Sequence, residues 1–132
     1  MPQLAAKGVV SSSPKQPFPS RLAHLFREIS EIVHQAKPNV IAIENAIYAQ
    51  NAQTALKLGH ARGALLLAGA LKEIEIAEYT PKEVKRAVTG NGNASKEQVQ
   101  RMVQSVLALS EPPTPDDVAD AIAVAICHFH RA

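Results

Sequence analysis

The sequence predicts an α/β fold. Segments of helical periodicity alternate with apolar segments too short to be helices, in the order helix, strand, helix, strand, then helices. Length and composition agree: 132 residues, 46% hydrophobic and 20% charged, suffice to bury a core as a single domain over 1–132. Aromatics are only 4%, so that core is expected to rest on Leu, Ile, Val and Ala.

Each element has a local reason. SSSPKQPFPS (11–20) reads as a loop. Ser20 is expected to cap a helix through about Gln35, with Leu22, Leu25, Phe26, Ile29, Ile32 and Val33 on one face, and Pro38 stops it. NVIAI (39–43) lacks polar alternation, the pattern of a strand covered on both faces. Residues 51 to about 72 read as a second helix capped by Asn51. On it Ala55, Gly59 and Gly63 recur every four residues, a smooth strip for close approach within the domain or across a two-fold between subunits. IEIAEY (74–79) alternates as a half-exposed edge strand does. A short helix begins at Pro81 and ends at TGNGN. Ser95 and Gln98 form a capping-box pair for a helix from 96 to about 109. SEPPTP is a rigid break, after which Thr114 caps a final helix, almost wholly apolar from Val118 to Ile126. KGVVSS (7–12) is a candidate third strand.

Several function classes recede. The one cysteine, Cys127, allows no internal disulfide and points to a reducing, cytoplasmic setting, with the residue itself a small core side chain. The longest apolar run, 63–71, is too short to span a membrane, and the start MPQLAAKGVV shows no export signal. His128 and His130, two apart, point to different helix faces and are expected to be surface or terminal residues. TGNGN lacks the Gly-Lys-Ser/Thr ending of a nucleotide-binding loop.

The acids carry more. Glu44 closes a buried strand, and α/β sites form beyond the carboxyl ends of strands, although such a Glu can also simply turn to solvent. Asp117 and Asp120, at i and i+3, share a helix face. Asp117 has a structural explanation at N3 behind a Thr114 cap. Asp120 has none, because it lies past the first turn of an apolar helix, where an unpaired carboxylate would cost roughly several kcal/mol. Were the three to converge, the oxygen-lined pocket would suit Mg²⁺ or Mn²⁺ and phosphodiester hydrolysis. The bases cluster too: Lys82, Lys85, Arg86, Lys96 and Arg101 face only Glu83 and Glu97 within 82–101, an excess that would draw a phosphate backbone or merely solvate a helix face.

PSRL, AIENAIYAQNAQTALKLGHARG, EYTPKEVKRAVTGNGNASKEQVQRMV and DDVADAIAVAICH, in this order, resemble the RuvC family of Holliday-junction resolvases over about residues 7–130. The resemblance implies a ribonuclease-H-like mixed sheet flanked by helices and a homodimer. It also implies symmetrical nicking of four-way junction DNA in recombination and repair, with two Mg²⁺ (or Mn²⁺) ions per site, beside a branch-migration helicase complex. Glu44 matches the family's strand-end acid, and Asp117 and Asp120 its C-terminal helix pair, as catalytic and metal ligands. Lys85 and Lys96 match basic DNA-contacting positions, with Arg86 beside them. Ile47 stands where the family often has an aromatic that stacks on a junction base, and Tyr48 is next to it. Helix 51–72, with its Ala55, Gly59 and Gly63 strip, matches the dimer helix. The family opens with two strands, the first bearing an Asp in a G-I-D-P-G-like turn. Here no acid precedes Glu28, so the chain is expected to lack those strands and that catalytic Asp. Two functions follow: a Mg²⁺-dependent junction endonuclease, or an impaired homologue that only binds junction DNA or dimerises.

Overall fold

A computed structural model describes residues 2–45 and 50–131. Among these described residues, five helices and two strands run in the order α1 (Phe18–Ala36), β1 (Val40–Glu44), α2 (Ala52–Ala70), β2 (Glu75–Tyr79), α3 (Pro81–Thr89), α4 (Lys96–Val106) and α5 (Asp116–Arg131). β1 and β2 pair as a two-stranded parallel sheet. Just past it, the Asn45 amide donates to the Tyr79 carbonyl at 2.7 Å, joining the carboxyl ends of the two strands. The chain divides into two compact units, one of 1–9, 42–46 and 77–132, the other of 10–41 and 47–76.

In the second unit, α1 packs along α2. The expected Ser20 cap is not used: the helix starts at Phe18 behind Pro17, with no side-chain cap and Pro19 in its first turn, where a missing N–H costs nothing. Lys37, at φ 48°, closes it before Pro38. Val33 is buried and most of the predicted apolar face is half-buried, but Ile32 is 49% exposed. Asn51 caps α2 as expected, its Oδ1 accepting from the Thr54 amide. The close approach within the domain that Gly59 and Gly63 would permit is not made among the described residues. Open space lies where their Cβ atoms would be, whereas a Cβ on Gly69 would stand 2.8 Å from Ile41 Cδ1 and 3.3 Å from Ile76 Cδ1. Gly69 is therefore where α2 meets strand side chains. β1 is less enclosed than its apolar run suggests, with only Ile43 fully buried.

KGVVSS forms no strand. In its place, Ser11 and Ser12 are held by side chains of α1: His24 Nε2 donates to the Ser11 carbonyl at 2.9 Å and Arg21 Nε to Ser12 Oγ at 3.1 Å. These contacts take the place of ladder bonds.

The first unit holds the larger core. Val118, Ile122, Ala123, Ile126 and Cys127 of α5 pack with Val84 and Val88 of α3 and Val99 and Val103 of α4. Valine predominates and no leucine is fully buried among the described residues. Thr80 and Glu83 form a capping box on α3, and Ser95 and Gln98 form the expected one on α4. Gly90, at φ 84°, ends α3 in the left-handed region that a side chain would resist by about 1–2 kcal/mol. α4 stops at Val106, short of the expected 109: Ala108, at φ 54°, takes the backbone out of the helix, and Gln104 Nε2 donates to the carbonyls of Leu109 and Ser110 beyond it. α5 begins at Asp116 rather than behind a Thr114 cap, so Asp117 is its second residue, not its third. His128 is not a surface residue: it is half-buried, its Nδ1 2.6 Å from the Tyr79 hydroxyl, tying α5 to the end of β2. His130 is exposed, its Nδ1 3.0 Å from the Ala87 carbonyl.

Val103 is fully buried, so Val103→Ala is expected to cost about 2 kcal/mol, read as a lower urea midpoint. Glu83 supplies a pH dependence. The Thr80 amide and hydroxyl, and then Arg131 at 2.9 Å, hold its carboxyl below the ordinary value of 4.5. Its stabilisation is complete above that ordinary value and is lost as pH falls through the lower, folded-state value. Glu83→Gln should accordingly flatten the acid limb of a stability-versus-pH curve below about pH 4.5.

Candidate nuclease and DNA-binding site

All three candidate acids lie in the first unit. Glu44 ends β1 and is half-buried. Asp117 is exposed in the first turn of α5, where an acid favours the helix dipole. Asp120 is not the enclosed, unpaired carboxylate that the apolar run suggested. Its neighbours Ala119, Ile122 and Ala123 take the core face, leaving Asp120 at the margin, its side chain 42% exposed and 3.7 Å from Lys96 Nζ. The same ammonium is 3.6 Å from Asp116. The α4 capping box fixes this meeting, since it starts the helix at Lys96 and so presents that side chain to one turn of α5.

Asp116 is the residue that sequence reading missed. The available signal was its i, i+4 spacing from Asp120, which lets two carboxylates share one cation. Among the described residues no three His, Cys, Asp or Glu side chains stand close enough to hold a metal ion. The oxygen chemistry of Glu44, Asp117 and Asp120 suits Mg²⁺, but their arrangement here does not form a ligand set for it.

The basic side chains surround the turn after α3. Lys85 is half-buried, its carbonyl accepting from Thr89 Oγ1 at 2.7 Å, while Arg86 is exposed. Lys82 Cγ and Arg86 Nη2 lie 3.0 and 3.6 Å from where a Cβ on Gly92 would sit, so both line the GNG turn. Of the cations between 82 and 101, Lys96 is engaged by aspartates rather than free for phosphate. Ile47 and Tyr48 lie outside the described residues. Gly59 and Gly63 lie on an open surface of α2, and Ala55 is half-buried.

Comparison with known proteins matches this chain over residues 3–128 to a family model described as crossover junction endodeoxyribonuclease RuvC. Curated relatives of that name include one from Desulforamulus reducens, 51% identical over 117 residues, which are 89% of this chain and 72% of that one. Another, from Moorella thermoacetica, is 54% identical over 108 residues, 82% of this chain and 65% of its own length. The Thermus thermophilus RuvC structure superposes with a TM-score of 0.89 at 34% identity, covering 97% of this chain and 77% of that one. T. thermophilus RuvC in complex with a Holliday junction substrate gives 0.88 at 31% identity, with the same coverage. Matched along nearly its whole length in sequence and in backbone, the chain belongs to the RuvC family of crossover junction endodeoxyribonucleases.

Proposed function

We propose that this chain acts on four-way junction DNA as a Mg²⁺-dependent endonuclease of ribonuclease-H-like fold, nicking paired strands symmetrically as a homodimer beside branch-migration machinery. The observation that carries the reading is its likeness, over 97% of its length, to a RuvC solved on a Holliday junction. In this proposal Lys85 and Arg86 grip backbone phosphates, with Ile47 and Tyr48 as further contacts, while Glu44, Asp117 and Asp120 are the catalytic carboxylates. Mg²⁺ in such sites supplies a polarised water and charge for the leaving oxygen. Among the described residues these acids do not form its ligand set in this arrangement.

Lys96 has two competing roles in this reading. As a phosphate contact it must leave Asp116 and Asp120. Both pairs are long and at least 40% exposed, and such pairs are worth about 0–1 kcal/mol, so a DNA phosphate could draw the lysine away cheaply. The same contacts favour a second reading, junction binding without cleavage, in which Lys96 stays with the aspartates.

The dimer proposal rests on α2. Leu56, Gly59, Gly63 and Leu67 fall on one side of the helix; the two leucines are 62% and 50% exposed, and the glycines offer a flat approach.

A synthetic four-way junction with Mg²⁺ should yield paired nicks on a denaturing gel, with EDTA or Asp120→Asn stopping the cutting while binding persists. Salt-sensitive binding with no nicks at any protein concentration would select the second reading instead. Sedimentation should show a dimer that Leu67→Arg converts to monomer; an unchanged dimer would move the interface off this face.

A further inference from the structure

We infer that the second unit carries an additional backbone-phosphate site, in the cleft between α1 and α2 that Arg21 and Lys57 line. The inference rests on the junction-DNA reading and adds a contact outside the residues named for it.

The cleft has a volume of about 300 Å³, and its walls are Val10–Ser12, one face of α1 and the facing turns of α2. No Asp or Glu lines it. Two cations do, and among the described residues neither is paired with a carboxylate. Arg21 spends its Nε on Ser12 Oγ at 3.1 Å, which fixes the plane of the guanidinium and leaves its terminal nitrogens available. Lys57 Nζ sits 5.8 Å from the centre of the Phe18 ring, an attraction that places the ammonium over the cleft wall without neutralising it. The imidazole of His24 is oriented by its 2.9 Å contact with the Ser11 carbonyl. Two cations elsewhere do meet carboxylates: Lys96 contacts Asp116 and Asp120, and Arg131 contacts Glu83. Holding two like charges along one concave, partly apolar wall is repulsive unless an anion lies between them.

The ligand chemistry follows from the donors. The terminal N–H groups of Arg21 and the ammonium of Lys57, with no carboxylate lining the cleft beside them, suit the unesterified oxygens of a phosphate group. Open on one side and walled by Leu22, Leu25 and Leu58, the cleft also suits a duplex backbone passing over it.

The test is junction binding in EDTA, so that no strand is cut, measured from 50 to 300 mM salt. Lys57 is exposed, its ammonium standing over the Phe18 ring, so Lys57→Gln should fold normally. It should weaken junction binding and reduce the slope of log K against log salt by about 0.9, the share of one phosphate contact. Arg21→Lys keeps the charge but loses the fork, and should weaken affinity while preserving the slope. Lys72→Gln, an exposed lysine outside the cleft, should change neither. An unchanged slope for Lys57→Gln, or an equal loss for Lys72→Gln, overturns the site while leaving junction binding by the wild type standing. A parallel NMR titration with pyrophosphate separates the two readings. If the wild type ignores the junction yet pyrophosphate shifts the Arg21 Nε–H signal, the site serves a free phosphate ligand and the DNA assignment is overturned.

Discussion

Burial of one face of α5 against α3 and α4 is the constraint on which the candidate site depends. The helix has a core face of Val118, Ile122, Ala123, Ile126 and Cys127 that packs with the valines of the two preceding helices. Once that face is turned inward, Asp117 and Asp120 must emerge at its edge and its solvent side, next to the start of α4. Lys96 occupies that start because a reciprocal cap forbids the helix to begin elsewhere. The electrostatics of the site are thus a by-product of packing. The Tyr79–His128 hydrogen bond completes the frame by fixing the far end of α5 to β2, the strand whose partner carries Glu44.

The two units use different means to hold their helices. In the second, a glycine admits strand isoleucines to within contact of α2, so the βαβ crossover is tight at Gly69 and open over most of the helix's outer side. In the first, the volume between helices is filled by branched aliphatic residues. A helix left with exposed leucines beside two glycines carries unused hydrophobic area, which is favourable only if another surface covers it. That same helix contributes Lys57 to the cleft facing α1, so its two sides are suited to different partners.

Much of this was legible in the residues. Asn51, and Ser95 with Gln98, announce helix starts because a side-chain oxygen at the cap satisfies an amide locally, and both caps are present. The Thr80–Glu83 capping box was not read from the sequence, where Pro81 alone marked the start of α3. The crossover order and the edge character of β2 could be read for the same reason: both follow from nearby residues. What failed depended on distant partners. Ser20 and Thr114 looked like caps, but the prolines at 17, 19 and 115 set the helix starts. KGVVSS has strand composition, yet its polar groups go to Arg21 and His24. Asp120 looked stranded in an apolar run, and only its place at the partly exposed margin of the α5 core face, near Lys96, shows why it is tolerated. His128 could not be read as an anchor, since nothing in its neighbourhood along the chain mentions Tyr79. The family resemblance was carried by motif words and did not need the geometry.

Cys127 offers a last consequence. Its sulfur is fully enclosed in the α3–α4–α5 core, and burial pushes its ionisation upward, keeping it in the unreactive thiol form. Being the one sulfhydryl of the chain, it is a sentinel: a thiol-directed dye can attach only during excursions in which the last helix lifts away. The speed of that attachment therefore counts how often the scaffold beneath the aspartates comes apart, without any engineered label.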